Sequence, residues 1–171
     1  MTFIIEDGTG LSTANAYEAV AFADSYFADR GITAWTGSST VKEQAIVKAT
    51  DYVDTKFGAS FRGIPLVSDQ ALAFPRADLL DAQGNAIEGI PEKFKKAVAE
   101  YALRALTASL LPDPTVDESG MRLKSKKEVV GPIEESLEYS GGGAIYTFKP
   151  YPAADKLLQE YLVNAGGSIR A

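Results

Sequence analysis

Two prolines frame the stretch that most constrains this chain. Residues 90–111 read IPEKFKKAVAEYALRALTASLL, and Pro112-Asp-Pro114 follows at once. Pro91 stands where a first helical residue belongs, with φ already set and its missing N–H costing nothing at that position. Phe94, Ala97, Val98, Tyr101, Ala102, Ala105, Leu106 and Leu110 then recur in steps of three and four, which is one buried helical face. Lys93, Lys95, Lys96, Glu100 and Arg104 mostly occupy the rest of the circumference. Alanines at 97, 99, 102, 105 and 108 favour helix and let a neighbouring helix approach closely. The proline pair stops the run, because proline cannot donate to the ladder and disfavours helix in the residue before it. The pattern predicts the central helix of an α-helical core.

What surrounds that helix is bounded by what the chain lacks. At 171 residues and 46% hydrophobic it suits one domain with a proper core, with room for extended arms. Cysteine and histidine are both absent, so Ser-His-Asp and Cys-His catalysis, disulfides and the usual zinc sites have no ligands or bases to work with. The expectation is a protein without catalytic residues, cofactor or metal. A formal charge of −6 argues against a general nucleic-acid binder, whose affinity comes mostly from cations on phosphates. The opening MTFIIEDG has no basic n-region or long apolar run, and no stretch reaches the ~18–20 apolar residues that span a bilayer. These features predict a soluble, cytoplasmically made chain with no membrane partner.

Taken in order, residues 3–6 predict a short strand closed by the turn Asp7-Gly8-Thr9-Gly10. The lone G-x-G lacks the strand and third glycine of a dinucleotide site, so a turn is the better reading than a phosphate cradle. Tyr17, Val20, Phe22, Ala23, Tyr26 and Phe27 place a helix at about residues 15–30, ended by Gly31. Its aromatics read as core, not as a cofactor box. Trp35 is expected to cap that core from the next loop. A second helix follows Thr40, whose spacing to Glu43 fits a capping box, and its stripe continues through Ala45, Ala49, Tyr52, Val53 and Phe57 to Gly58. Glycines and prolines punctuate residues 58–90, which cannot be one regular element. Within them residues 81–85 read as a tight hairpin turn. Asp81, Gln83, Asn85 and Glu92 take positions 1, 3, 5 and 12 of a calcium loop. Ala86 replaces its essential glycine, so calcium is the weaker reading.

Beyond Pro114 the alternation of Arg122, Lys124, Lys126 and Lys127 with Leu123, then Val129-Val130, predicts a strand. Gly131-Pro132 turns it into a second extended run from Ile133 through Leu137 to Tyr139. Ser140 and three glycines joint it to a third short piece at residues 144–148. Too little apolar surface lies in residues 120–149 to fold alone, so they are expected to pair with the core or with a neighbouring subunit. The last helix is expected at about residues 153–164 with Leu157, Leu158, Tyr161 and Leu162 on its apolar face. A flexible tail is expected at residues 165–171. The fold class is thus mainly α: a small bundle of three to four helices, with an extended β-hairpin arm inserted before the C-terminal helix. The helical core spans about 15–111 plus 151–164.

Several of these segments together resemble a known family. They are Ile5-Glu-Asp-Gly-Thr-Gly10 with Ala14-Asn-Ala-Tyr17, Ala49-Thr-Asp-Tyr-Val-Asp54, Gln70-Ala-Leu-Ala-Phe-Pro-Arg76, Asp81-x-x-Gly84, Ile90-Pro91, Val130-Gly-Pro-Ile133 and Leu157-Leu-x-x-Tyr-Leu162. The resemblance is to a family common in tailed-phage genomes and often labelled "DnaT-like single-stranded DNA-binding protein". Its pattern is also similar to head–tail connector adaptors, helical proteins that form a twelvefold ring under the portal. The family's usual tryptophan before Pro-Arg is Phe74 here. The adaptor resemblance implies a structural virion protein at the head–tail junction. Its partners would be a homo-oligomeric ring, a dodecamer by that likeness, the portal protein and a stopper or tail-terminator protein. DNA would pass through the lumen without specific binding.

On that reading Arg122, Lys124, Lys126, Val129, Val130, Ile133, Leu137 and Tyr139 form a subunit-clasping arm. Leu158, Tyr161, Leu162, Ile169 and Arg170 dock on the portal or ring wall. Phe74 buries under the central helix, Pro75 fixes a bend, and Arg76 meets a carboxylate or helix-end carbonyls. The alternative is a single-stranded DNA binder using the basic run 122–127, with Tyr139, Tyr146, Phe148 and Tyr151 as stacking platforms beside Lys149. The interleaved Glu128, Glu134, Glu135 and Glu138 weigh against it.

Overall fold

The computed structural model of the chain describes residues 2–113, the strand backbones 123–129 and 134–139, and residues 148–163. Two compact units emerge: Met1–Leu110 with Pro150–Ala171, and Leu111–Lys149. The first holds α1 (Val20–Ala28), α2 (Ser39–Phe57), the two-residue strands β1 (Ile64–Pro65) and β2 (Arg76–Ala77), α3 (Glu92–Ala105) and α4 (Pro152–Leu158). The second holds the antiparallel strands β3 (Leu123–Val129) and β4 (Glu134–Tyr139). The molecule is mainly helical, with the hairpin inserted before the last helix, as the sequence predicts.

The predicted central helix is central. α3 packs against α1, α2 and α4, and Phe94, Ala97, Val98, Tyr101 and Ala102 along it are wholly buried. Its limits differ from the sequence reading. Pro91 is the N-cap in extended backbone (φ −62°, ψ 148°) and not the first helical residue. The helix stops at Ala105, well short of 111. Thr107 and Ala108 both turn back to the Arg104 carbonyl, where threonine, serine and the coming proline disfavour further turns. Leu110 is nevertheless buried.

Competition for backbone partners shortens the first helix too. Residues 15–19 were expected inside it, but Ala16 donates to Ile4 O (3.2 Å) and accepts from Glu6 N (2.8 Å). Asn15 adds side-chain bonds to Ile4 N (2.9 Å) and Thr2 O (2.7 Å). These contacts make a single parallel bridge, Ile5 to Ala16, in place of the strand expected at residues 3–6. Gly31 ends α1 with φ 63°, the left-handed backbone its position requires. The α2 cap also moves. Ser38 Oγ accepts from Val41 N (3.4 Å), so the Thr40/Glu43 box lies inside the first turn and does not cap it. Trp35 closes the core as expected, its ring 5.2 Å from Phe27 and its Nε1 donating to Asp24 (2.7 Å). α4 gives way at Gln159 to a 3-10 turn. The chain then pairs Leu162 with Phe61, through Arg62 N to Tyr161 O (2.8 Å) and Val163 N to Ser60 O (2.7 Å).

In the second unit the register runs Val129 to Glu134, Glu128 to Glu135, Lys127 to Ser136 and Lys126 to Leu137, with an irregularity between Leu123 and Ser125. Among the described residues β3 and β4 form a two-stranded sheet, each with one edge open. Arg122, Val130, the Gly131-Pro132 turn, Ile133, the extended piece at 144–147 and the tail at 165–171 lie outside the described residues.

Candidate functional site

Three of the segments that carry the family resemblance, at 14–17, 49–54 and 70–76, meet beneath α3. Tyr17 is buried with its hydroxyl donating to Asp54 Oδ1, while the hydroxyl oxygen accepts from Phe74 N (3.1 Å). Asp54 Oδ2 accepts from Ala73 N (2.9 Å), and Thr50 Oγ1 accepts from Tyr17 N (3.3 Å). Phe74 is wholly buried at 4.6 Å from the Phe94 ring, and Tyr17 meets Phe94 edge-on at 4.8 Å. A cis bond joins Phe74 to Pro75. Arg76 then donates to Phe61 O (3.0 Å) and Gly58 O (3.5 Å), the carbonyls released where α2 ends. The Phe74 ring therefore lies under the central helix, and the Arg76 guanidinium lies on carbonyls at the end of α2. Sequence reasoning did not single out Tyr17 and Asp54 as partners. Their places inside the family motifs were the available signal.

Burial sets the electrostatics of this network. Desolvation pushes the Asp54 carboxyl up to about 6, although the Tyr17 hydroxyl and Ala73 N–H pull the other way. Burial and the facing Asp54 carboxylate together push the Tyr17 hydroxyl well above its ordinary value. Glu18, the next residue, is 1% exposed, and among the described residues neither carboxylate oxygen has a hydrogen-bond partner. Desolvation drives it well above the usual carboxylate range, offset in part by Lys95. Asp155 behaves differently. Burial raises it, but bonds from Lys56 (2.7 Å), the Tyr101 hydroxyl and Tyr151 N (2.9 Å) outweigh that and hold it low.

The glycine loop has no vacancy for an anion. Glu6 is buried, and its carboxylate accepts from Gly8 N (2.9 Å), Gly10 N (2.8 Å) and Leu11 N (2.8 Å). Those are the donors a phosphate would have used. Asp81 is equally committed, accepting from Gln83 N (2.8 Å), Asn85 N (2.8 Å) and Asn85 Nδ2 (3.0 Å) in a turn closed by the Leu80–Ala86 bridge. Among the described residues no cluster of three or more acidic side chains could hold a metal ion.

An open cleft of about 440 Å³ lies between residues 76–80 and 86–89, with Gly8 and Leu66 completing its wall. Its floor depends on a close approach of two glycines. A Cβ on Gly8, whose φ is 98°, would sit 2.9 Å from Gly89 Cα. Asp78 and Glu88 are exposed in its lining, and Leu66 and Leu80 are 43% and 49% exposed at its edge.

The predicted docking residues separate on inspection. Leu158 (0% exposed) and Tyr161 (1%) are core residues, Tyr161 packing 5.9 Å from both Phe74 and Phe94. Their apolar surface is already used within the subunit, so the docking expectation fails for both. Leu162 is half-buried in the bridge to Phe61, and Ile169 and Arg170 lie outside the described residues. Tyr151, offered as a base-stacking platform, is buried between Tyr52 (6.0 Å) and Tyr101 (5.9 Å) and cannot serve. Phe148 is half-buried, Lys149 is exposed and Tyr146 lies outside the described residues. Of the proposed arm, Lys124, Lys126, Val129, Leu137 and Tyr139 fall in the paired strands.

Many cations of the helical unit are already engaged. Lys42, Lys56, Lys93, Lys96 and Arg104 pair with Asp24, Asp155, Glu160, Glu92 and Glu100 at 2.6–2.8 Å, and Arg30 lies over the Tyr26 ring at 3.7 Å. β3 carries Lys124, Lys126 and Lys127 together with Glu128 in its seven residues.

The chain belongs to the family described as "Putative DnaT-like ssDNA binding protein", which matches residues 1–171. No curated protein and no solved structure matches it.

Proposed function

We propose that this chain is a structural virion subunit, a head–tail connector adaptor that assembles as a ring on the portal and links the capsid vertex to the tail. The β3–β4 hairpin carries the reading. A two-stranded hairpin is marginal by itself in water, and edges left open among the described residues are ready to pair with another chain. A neighbouring subunit supplies the surface it needs. The rest of the molecule is consistent with a scaffold. The shared motif residues Tyr17, Asp54, Phe74 and Arg76 are spent on packing and hydrogen bonding within the core. The charge of −6 would let DNA pass through a ring lumen without sticking. On this reading the protein is made in the host cytoplasm, has no enzymatic activity, and meets the portal on one side and a stopper or tail terminator on the other.

A second reading, single-stranded DNA binding, is favoured by the family's description and by the lysines of β3. Against it, the core cations are largely paired with carboxylates, and Glu128, Glu134, Glu135 and Glu138 share the arm. Light scattering on the purified protein, alone and mixed with its cognate portal, separates the two. The expected result is a stoichiometric ring on the portal and no shift of a labelled oligonucleotide. A protein that ignores the portal and shifts the oligonucleotide, with binding that collapses as salt rises, would overturn the adaptor reading.

A further inference from the structure

We propose that the β3–β4 hairpins of neighbouring copies join edge to edge, β3 of one against β4 of the next, in one continuous antiparallel belt. The inference rests on the adaptor reading and names the surface that adjacent subunits share.

The edges carry it, because the faces offer little to bury. Register places charged positions on both faces: Lys127, Glu134 and Glu138 on one, Lys126, Glu128 and Glu135 on the other. Neither face is an apolar stripe, so covering either one would desolvate charge. What remains is the row of backbone N–H and C=O groups along each edge that is open among the described residues. A further strand is also what a two-stranded hairpin needs in order to be stable.

Charge selects the partner edge. β3 holds three lysines and one glutamate, whereas β4 holds three glutamates and no cation. Like edges repel, which disfavours a symmetric β3–β3 or β4–β4 dimer, and the β3 edge of one copy suits the β4 edge of another. Within one hairpin Glu128 stands directly opposite Glu135, a like-charge pair that weakens it. A slip of two residues between copies gives Glu135 an opposite charge on its other side. Lys126 then lies opposite Glu135, and Lys127 opposite Glu134. An even slip keeps every position on its own face.

The same slip suits a closed belt. Two residues per copy is ~6.8 Å along the strands for ~9.6 Å across them, which inclines them by ~35°, the tilt at which sheets close. The two edges are different patches of one chain, so the contact is heterologous and generates a ring if the rotation closes.

The chain contains no cysteine, which makes cross-linking clean. Tagged Lys126→Cys copies are mixed with untagged Glu135→Cys copies and oxidised, alone and on the cognate portal. A disulfide forms only where Cα atoms come within about 7 Å and the Cβ vectors converge. A tagged–untagged disulfide dimer is expected. Moving the first cysteine one position, to Lys127→Cys, should cut its yield about tenfold, because that position lies on the opposite face. In parallel, one edge at a time is reversed in charge. Lys126→Glu with Lys127→Glu, or Glu134→Lys with Glu135→Lys, should each abolish assembly alone. Mixed in equal amounts, the two should assemble again in alternation, which charges acting only within one hairpin would not give.

A ring on the portal without the 126–135 cross-link overturns this inference and leaves the adaptor reading intact. A cross-link between copies that ignore the portal supports the belt and overturns the adaptor reading. Absence of both ring and cross-link overturns both.

Discussion

Tyr17 and Glu18 are neighbours in sequence, both almost wholly buried, and they solve the same problem in opposite ways. The Tyr17 hydroxyl gives a hydrogen bond to Asp54 and takes one from Phe74 N, so every polar group it brings inside finds a partner. Glu18 brings in two oxygens that find none among the described residues. A buried hydrogen bond contributes only about 1 kcal/mol net, yet an orphaned polar group costs about 1–3 kcal/mol. The first residue therefore holds the motif segments in register, while the second is a standing cost that packing elsewhere must offset. Burial alone does not tell the two apart; the partners do.

The severest way to break the comparison is Phe94→Ala. That ring touches both Tyr17 and Phe74, and its loss should cost about 3–5 kcal/mol in urea unfolding. Tyr17→Phe is subtler. It keeps the ring but strands the Phe74 N–H and one Asp54 oxygen, so a loss of about 1–3 kcal/mol is expected from the same measurement. Glu18→Leu should go the other way, stabilising by about 1 kcal/mol by removing the orphaned carboxyl. A loss of that size instead would mean that Glu18 has an acceptor or cation in solution, and the contrast would fail.

Acidity sharpens it further. Asp54 and Glu18 have folded values raised above their ordinary 3.8 and 4.5, so the folded chain binds more protons than the unfolded one in that window. Their contribution is complete below about 4 and is lost as pH rises through the folded values, about 6 for Asp54. Stability should therefore fall between about pH 4.5 and 7, by at most about 1.4 kcal/mol per pH unit per group. Asp24 and Asp155, held low by their partners, act oppositely and withdraw support as pH falls through and below 4. Glu18→Gln should flatten the neutral limb and leave the acid limb unchanged; identical pH profiles for the two proteins would refute this assignment. The smallest effect belongs to Lys93→Ala. Its exposed pair with Glu160 should be worth no more than about 0.5 kcal/mol by the same unfolding assay.

Periodicity made the helices legible, because one face of each must be apolar. The pattern at 94–106 marks α3, and the one at 45–57 marks α2, without reference to anything outside those segments. Helix ends were less legible, since they are decided by competitors elsewhere in the chain. Ala16 is claimed by Ile4 and Glu6, and Ser38 reaches Val41 N ahead of Thr40. The role of Leu158 and Tyr161 was misread for a related reason. An amphipathic stripe announces that a face will be buried but not whether its own chain or another will bury it. The Glu6 carboxylate within the glycine loop left a trace, a carboxylate two residues before the first glycine. The pairing of Tyr17 with Asp54 bridges 37 positions and left none that spacing could show.

The segment Leu111–Lys149 interrupts a helical unit whose two parts, ending at Leu110 and resuming at Pro150, pack as one through α3 and α4. Seen as polymer physics, that interruption is a closed loop, and the entropy of closing a loop grows only with the logarithm of its length. Doubling it would cost the helices about 0.6 kcal/mol, less than the ~0.8 kcal/mol of one buried methylene. The length and sequence of the insert are therefore nearly free variables for the stability of this fold. Descendants of such a chain can lengthen, shorten or exchange the insert while inheriting the same helices.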